Sequence, residues 1–234
     1  MQLFYDPTLD NTAGTFTFPA PESKHLVRVL RKGPGDLVHI TNGKGELFQA
    51  EILRPDPNGC LAKIVSHTKS VPKRFKLHLA VAPTKMNDRY QWMLEKTTEI
   101  GLDEISPILC HHSERRTIKA ERMEKVLQAA MKQSQQTRLP LLHPLVSFQE
   151  FLEGDFPGLK FIAHCHQGDK KELKRVARAD TDITVLIGPE GDFSKEEVAR
   201  AQAKGFEAIS LGNNRLRTET AAILACATIN TINY

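Results

Sequence analysis

Ile183-Thr184-Val185-Leu186-Ile187-Gly188-Pro189-Glu190-Gly191-Asp192-Phe193-Ser194 decides how most of this chain is read. The first five residues are apolar or β-branched throughout, which predicts a strand buried on both faces. Gly188-Pro189 ends it. Ser194 with Glu197 three residues later is a capping box, which opens a helix. The same alternation recurs outward from this point. Leu77–Val81, Ile105–Leu109, Phe161–Ala163 and Ala208–Leu211 read as further strands. Asp88 with Gln91, Ser147 with Glu150, and Asp169 with Glu172 predict three more capped helices, with Gly101 as the stop of the first. Met123, Val126, Leu127, Ala130 and Ser134 share a helix face, and a last helix is expected over Thr218–Ile232. Strands alternating with helices predict an α/β fold with a mainly parallel sheet and helices on both faces.

Upstream the pattern is different. Leu37–Thr41 and Leu47–Leu53 flank Asn42-Gly43-Lys44-Gly45, which is hairpin chemistry because those residues tolerate positive φ. Cys60–Val65 reads as a further strand, and Glu22–Arg31 as one short helix. The chain therefore divides into a small barrel-like β domain, residues 1–72, and an α/β domain, residues 73–234. The boundary falls in the basic, Pro72-containing stretch Lys69–Lys76.

Composition excludes several classes. With 234 residues, 40% hydrophobic and 26% charged, the chain has ample material for a core and is not disordered. No apolar run is long enough for a bilayer span, and the N-terminus lacks a secretory pattern, so a cytoplasmic protein with no membrane partner is expected. Cys60, Cys110, Cys165 and Cys226 form no C-x-x-C pair, so free thiols are expected.

Open parallel sheets bind ligands outside the carboxyl ends of their strands. Three loops at such ends stand out: His164–Gly168, Gly188–Asp192 and Gly212–Thr220. Parallel strands put all three on one edge. Neither a P-loop nor a G-x-G-x-x-G turn is present, and G-x-S-x-G is missing. His164, Cys165 and His166, or His111 and His112, could suggest a metal. Successive residues of a strand point to opposite faces, so adjacent ones share a ligand sphere poorly and no metal is expected. Basic residues gather in two segments: Lys24, His25, Arg28, Arg31 and Lys32, on a helix that buries Leu26, Val29 and Leu30; and His111–Arg138, ending at Arg138. Two basic segments beside a small-ligand site suit an RNA-modifying enzyme.

Several of these stretches resemble a known family. Leu186–Gly191 followed by Phe193-Ser194 and Glu197 resembles the Gly-Pro-Glu-Gly motif of SPOUT methyltransferases. Leu211-Gly212 and Leu216–Ala221 are similar to the closing motif of the RsmE branch. Glu95–Gly101, Ser106-Pro107, Gln133-Ser134, His25-Leu26, Val29–Arg31 and Gly35-Asp36 match that branch too. The resemblance covers the whole chain in order. It implies a PUA-like RNA-binding barrel followed by a catalytic domain with a C-terminal trefoil knot. It also implies a homodimer that uses S-adenosylmethionine to methylate N3 of a uridine in small-subunit (16S) ribosomal RNA, free or in the assembled subunit. The implied cofactor residues are His164, Ile187, Gly188, Pro189, Glu190, Gly191, Leu211, Gly212, Leu216, Arg217 and Thr220. Lys24, His25, Arg28, Arg31, Lys32 and Arg138 are the implied RNA contacts.

Methyl transfer to N3 removes its proton and leaves negative charge on the uracil. Arg217, or Arg215, could stabilise that charge, and Glu219 or Glu190 could accept the proton. The sequence departs from the family pattern at Asp192, where a second Gly is usual, and at Asn214. Those departures motivate the rival reading, a catalytically degenerate RNA-binding protein of the same fold.

Overall fold

The structure is a computed structural model that describes residues 2–234. It contains two compact units, 2–72 with 131–139, and 73–130 with 140–234. A single cut in the chain does not provide for the return of Met131–Leu139 to the first unit.

In the first unit the strands are β1 (Leu3–Tyr5), β2 (Thr15–Thr17), β3 (Leu37–Thr41), β4 (Glu46–Arg54) and β5 (Leu61–Lys69). They form one curled sheet in the order β1-β3-β4-β5-β2, with only β1 and β3 parallel. Phe4, Phe18, Leu26, Ile40, Phe48 and Ile52 make its core. The expected hairpin forms: Gly43 and Gly45 take φ of 72° and 95°, and Asn42 Oδ1 accepts from the Lys44 amide at 2.9 Å.

The expected helix over Glu22–Arg31 starts and ends two residues earlier and is irregular. It is α1 (Ala20–Lys24) followed by a π-turn over His25–Val29, in which the Leu30 amide reaches the His25 carbonyl. The wider turn keeps Leu26 fully buried but leaves Val29 65% exposed, against the expectation that both pack inward. Arg31 lies beyond the helix with a φ of 52°, so it and Lys32 do not continue one helical surface with Lys24 and Arg28.

The second unit holds β6 (Leu77–Val81), β7 (Glu104–Leu109), β8 (Leu141–Leu142), β9 (Val146–Ser147), β10 (Leu159–Ala163), β11 (Lys171–Glu172), β12 (Ile183–Ile187) and β13 (Glu207–Ser210). The order is β11-β13-β10-β12-β6-β7-β8, with β9 also on β7, and every pairing is parallel. The helices are α2 (Asn87–Ile100), α3 (Ala120–Gln133), α4 (Phe148–Leu152), α5 (Leu173–Val176), α6 (Lys195–Ala203) and α7 (Thr218–Ile232). Phe148 and Phe151 of α4 and Val198 and Ala201 of α6 pack on Ala80, Ile108, Ile162 and Leu186. α7 packs on β6 and β12 and against α2. Helices therefore cover both faces, as expected.

Two predicted caps fail. Asp88 lies inside α2, whose N-cap is Met86; the Thr84 hydroxyl donates to the Met86 carbonyl and sets the start there. Asp169 caps no helix: Lys171 and Glu172 pair with Ile209 and Ser210 as a strand, and α5 starts only after Glu172, its N-cap, which makes no side-chain cap bond. Cross-strand pairing outweighs the local cap.

Candidate active site

The three glycine-rich loops meet because the strands before them are in register. Ala163, the last residue of β10, pairs with Ile187 on one side and Ile209 on the other. The chain therefore leaves three adjacent strands at one level. There it encloses a cavity of about 660 Å³, within the range of small-molecule sites. Ala163, His164, Cys165 and Lys170 line it from the first loop. Ile187, Gly188, Pro189, Glu190 and Asp192 line it from the second. The third contributes Ile209 through Thr218, with Ala221 from α7.

The second loop is shaped by its protein neighbours. A Cβ on Gly188 would lie 3.0 Å from the ring of buried Phe193, and one on Gly191 would lie 2.8 Å from His112 Cβ. Pro189 accepts from the Asp192 amide at 2.9 Å to close the turn. The expected capping box is reciprocal: Ser194 accepts from the Glu197 amide, and Glu197 accepts from the Ser194 amide. Glu197 also accepts from the His111 amide at 2.8 Å. The Thr218 hydroxyl donates to the Gly188 carbonyl at 3.0 Å, tying the start of α7 to this loop.

The first loop is held from two sides. Lys170 Nζ donates to the carbonyls of His164 and His166, at 2.8 and 2.7 Å. Asp192, in the left-handed region with a φ of 66°, accepts from the Cys165 amide at 2.8 Å and from the Phe193 amide at 2.9 Å. Its carboxylate thus clips the first loop to the second. His164 and His166 lie in a loop rather than a strand, with their rings 5.5 Å apart. Both ring nitrogens of His164 are buried without a partner among the described residues. Burial first, then the Lys170 ammonium, holds the His164 pKa below its ordinary value.

The titratable candidates separate by position. Glu190 lines the cavity; its Oε1 accepts from the Lys85 amide at 2.9 Å, while its buried Oε2 has no partner among the described residues. Arg215 and Arg217 line the cavity as exposed side chains, and neither guanidinium has a partner among the described residues. Glu219, Gly191 and Thr220 do not line it. The Glu219 side chain is 6% exposed and faces Arg89 Nε at 3.7 Å, an acid in the first turn of α7, where the helix dipole favours it. Lys170 and Cys165 were missed in the sequence; Lys170 lies six residues beyond His164, and only the fold of the loop returns it there.

In the first unit Lys24, Arg28 and Arg31 are exposed. His25 is partly buried beside Phe4, and Lys32 faces Asp36 at 3.9 Å. Arg138 crosses the hairpin turn: it bridges to Lys44, and its guanidinium occupies the space that a Cβ on Gly45 would need.

Comparison with known proteins adds a second kind of finding. A family described as RNA methyltransferase domain matches residues 71–230, and one described as RNA methyltransferase PUA domain matches residues 18–65. The chain is 30% identical over 209 residues to the ribosomal RNA small subunit methyltransferase E of Rickettsia conorii, covering 88% of this chain and 85% of that protein. It is 26% identical over 234 residues to the protein of that name in Bacillus subtilis, covering 93% and 90%. A probable rRNA-methyltransferase from Porphyromonas gingivalis superposes with a TM-score of 0.93 at 38% identity, covering 100% and 98% of the two chains. The ribosomal RNA small subunit methyltransferase E from Neisseria gonorrhoeae, solved with S-adenosyl methionine bound, superposes with a TM-score of 0.86 at 27% identity, covering 100% and 98%.

Proposed function

The chain belongs to the RsmE family of RNA methyltransferases, and from that premise we propose that it methylates N3 of a uridine in small-subunit ribosomal RNA, using S-adenosylmethionine. One observation carries the reading: three loops enclose one cavity that holds polar atoms of His164 and Glu190, and the Arg217 guanidinium, with no partner among the described residues. Buried polar atoms without partners are costly unless a ligand satisfies them. When bound, S-adenosylmethionine supplies an electrophilic methyl group on a sulfonium and leaves as S-adenosylhomocysteine.

His164, Ile187, Gly188, Pro189, Glu190, Leu211, Gly212 and Leu216 would hold that cofactor. Gly191 and Thr220 would support the loops from outside the cavity. Arg217 stands where a cation can stabilise charge developing on the uracil oxygens as N3 loses its proton. Glu190 is the cavity carboxylate able to receive that proton, because its Oε2 is free to accept. Glu219, which does not line the cavity, has Oε1 facing Arg89 and a buried Oε2 with no partner among the described residues, and it acts by fixing the start of α7 and with it Arg217. In the first unit Lys24, His25, Arg28, Arg31, Lys32 and Arg138 would grip the RNA backbone. The same reading carries a two-domain division at residues 72 and 73, with Met131–Leu139 returning to the first domain, a C-terminal trefoil knot, a homodimer and a cytoplasmic location.

The test is incubation with S-adenosylmethionine and small-subunit ribosomal RNA that lacks the mark, followed by mass spectrometry of the RNA. A new methyl group on N3 of one uridine is the expected result. RNA binding with no cofactor heat in calorimetry would favour the degenerate protein, and a methyl group on another atom would overturn the specificity.

A further inference from the structure

At the opposite end of the parallel sheet from the cavity, three strands bring a second set of side chains together. His78 is the second residue of β6, Glu104 is the first of β7, and His143 directly follows β8. His78 pairs with Glu104, and Glu104 with Leu141, so the period of two puts His78, Glu104, Ser106 and His143 on one face. Both imidazoles and the carboxylate offer a ligand atom, and these three atoms all lie within 4.8 Å of one another.

We propose that His78, Glu104 and His143 form a binding site for a divalent transition-metal ion of the zinc type, with the fourth position open to water. Two imidazoles and one carboxylate are the donor set that suits such an ion, whereas calcium and magnesium need a shell of oxygens. Bonds of about 2.0–2.1 Å to a tetrahedral centre place ligand atoms about 3.3 Å apart. His143 Nε2 and Glu104 Oε2 are already 2.9 Å apart, so rotation of side chains closes the set without moving the strands.

The surroundings favour the geometry. The Ser106 hydroxyl meets His78 Nε2 at 2.8 Å and holds the ring in place. Phe151 and Phe156, stacked 4.5 Å apart, flank that ring at 5.6 and 5.8 Å and keep water from that side. His143 and Glu104 keep 33% and 24% side-chain exposure, which leaves an entry path. One group opposes the ion: Lys76 Nζ lies 3.6 Å from Glu104 Oε1. It is 69% exposed and can swing into solvent.

The consequence is structural. β8 has two residues and lies at the edge of the sheet, joined only to β7. An ion shared by β6, β7 and the residue after β8 staples that edge. An ion that binds only the folded chain raises its melting temperature.

The full chain, stripped with a chelator and exchanged into metal-free buffer, would be titrated with Zn²⁺ against a chromophoric chelator, with melting temperature read in parallel. One site that competes with the chelator and a zinc-dependent rise in melting temperature are expected. His143→Ala and Glu104→Gln, both at partly exposed positions, should weaken that site by about 100-fold and abolish the rise. Lys76→Ala should tighten it, while His111→Ala/His112→Ala should leave it intact. Failure of the wild-type chain to compete with the chelator would overturn the proposal. So would competition that His143→Ala and Glu104→Gln leave unchanged.

Discussion

Removing the Asp192 carboxylate tests whether the two loops on either side of it act as one cofactor wall. Asp192 carries opposing terms. Its backbone is left-handed, which costs a non-glycine residue about 1 kcal/mol. Its carboxylate accepts from the amides of Cys165 and Phe193. The side chain is partly exposed, so the low end of the charged hydrogen-bond range applies: about 1.5 kcal/mol for the link to Cys165 and about 1 kcal/mol for the local one. Asp192→Ala loses both and keeps the strain, a net loss of about 2.5 kcal/mol. Asp192→Gly loses both but relieves the strain, a net loss of about 1.5 kcal/mol. Asp192→Asn keeps an acceptor oxygen and tolerates the conformation, a net loss of about 1 kcal/mol. The link to Cys165 joins segments 27 residues apart, so this energy is spent ordering the cavity. At about 1.4 kcal/mol per factor of ten, S-adenosylmethionine should bind tenfold or more weakly to the glycine variant, more weakly still to alanine and a few-fold more weakly to asparagine. Titration calorimetry at fixed pH and temperature measures the series. Tighter binding by the glycine variant than by the wild type would refute the reasoning, because strain at residue 192 would then dominate the clip.

Arg217→Ala should lower methyl-transfer kcat by about 100-fold, with cofactor Kd changed only a few-fold, as expected for loss of one group that stabilises developing charge; single-turnover kinetics and calorimetry separate the two. Arg28→Ala with Arg31→Ala should weaken RNA binding, and the slope of log K against log salt should become shallower by about 1.4–1.8, from two lost phosphate contacts at about 0.7–0.9 each. An unaltered slope would leave those two residues outside the RNA interface. His164 has a folded pKa below its ordinary 6.5, chiefly from burial. As pH falls below 6.5 the unfolded chain takes up a proton that the native His164 resists, so acid weakens the fold; His164→Asn should flatten the dependence of denaturant midpoint on pH in that window.

The limits of reading this chain as a string follow from which interactions are local. Ile183–Ile187 and Thr218–Ile232 have the bounds that their sequences suggest, because a fully buried strand and a helix opened by Thr218-Glu219 carry their signals within a few residues. The same local rule succeeds at Ser194 and fails at Asp169. The difference is tertiary: β13 is available to pair with Lys171 and Glu172, and backbone pairing with a neighbouring strand outweighs one side-chain cap. The π-turn at His25–Val29 has a similar cause, since burying Leu26 in the β core sets the helical phase and turns Val29 to solvent. At the candidate site the convergence of three loops was legible, because parallel strands must release their chains on one edge. What fastens those loops was not. The bond from Cys165 to Asp192 and the bonds from Lys170 to two carbonyls join a side chain to backbone, and backbone groups carry no sequence signal. His78, Glu104 and His143 extend the point. Each is unremarked within its own segment, and only the register of β6, β7 and β8 makes them neighbours. Chemistry borne by consecutive residues can be read from a sequence, whereas chemistry assembled across strands requires the pairing, and in this sheet one pairing scheme aligns the cavity at one end and the histidine cluster at the other.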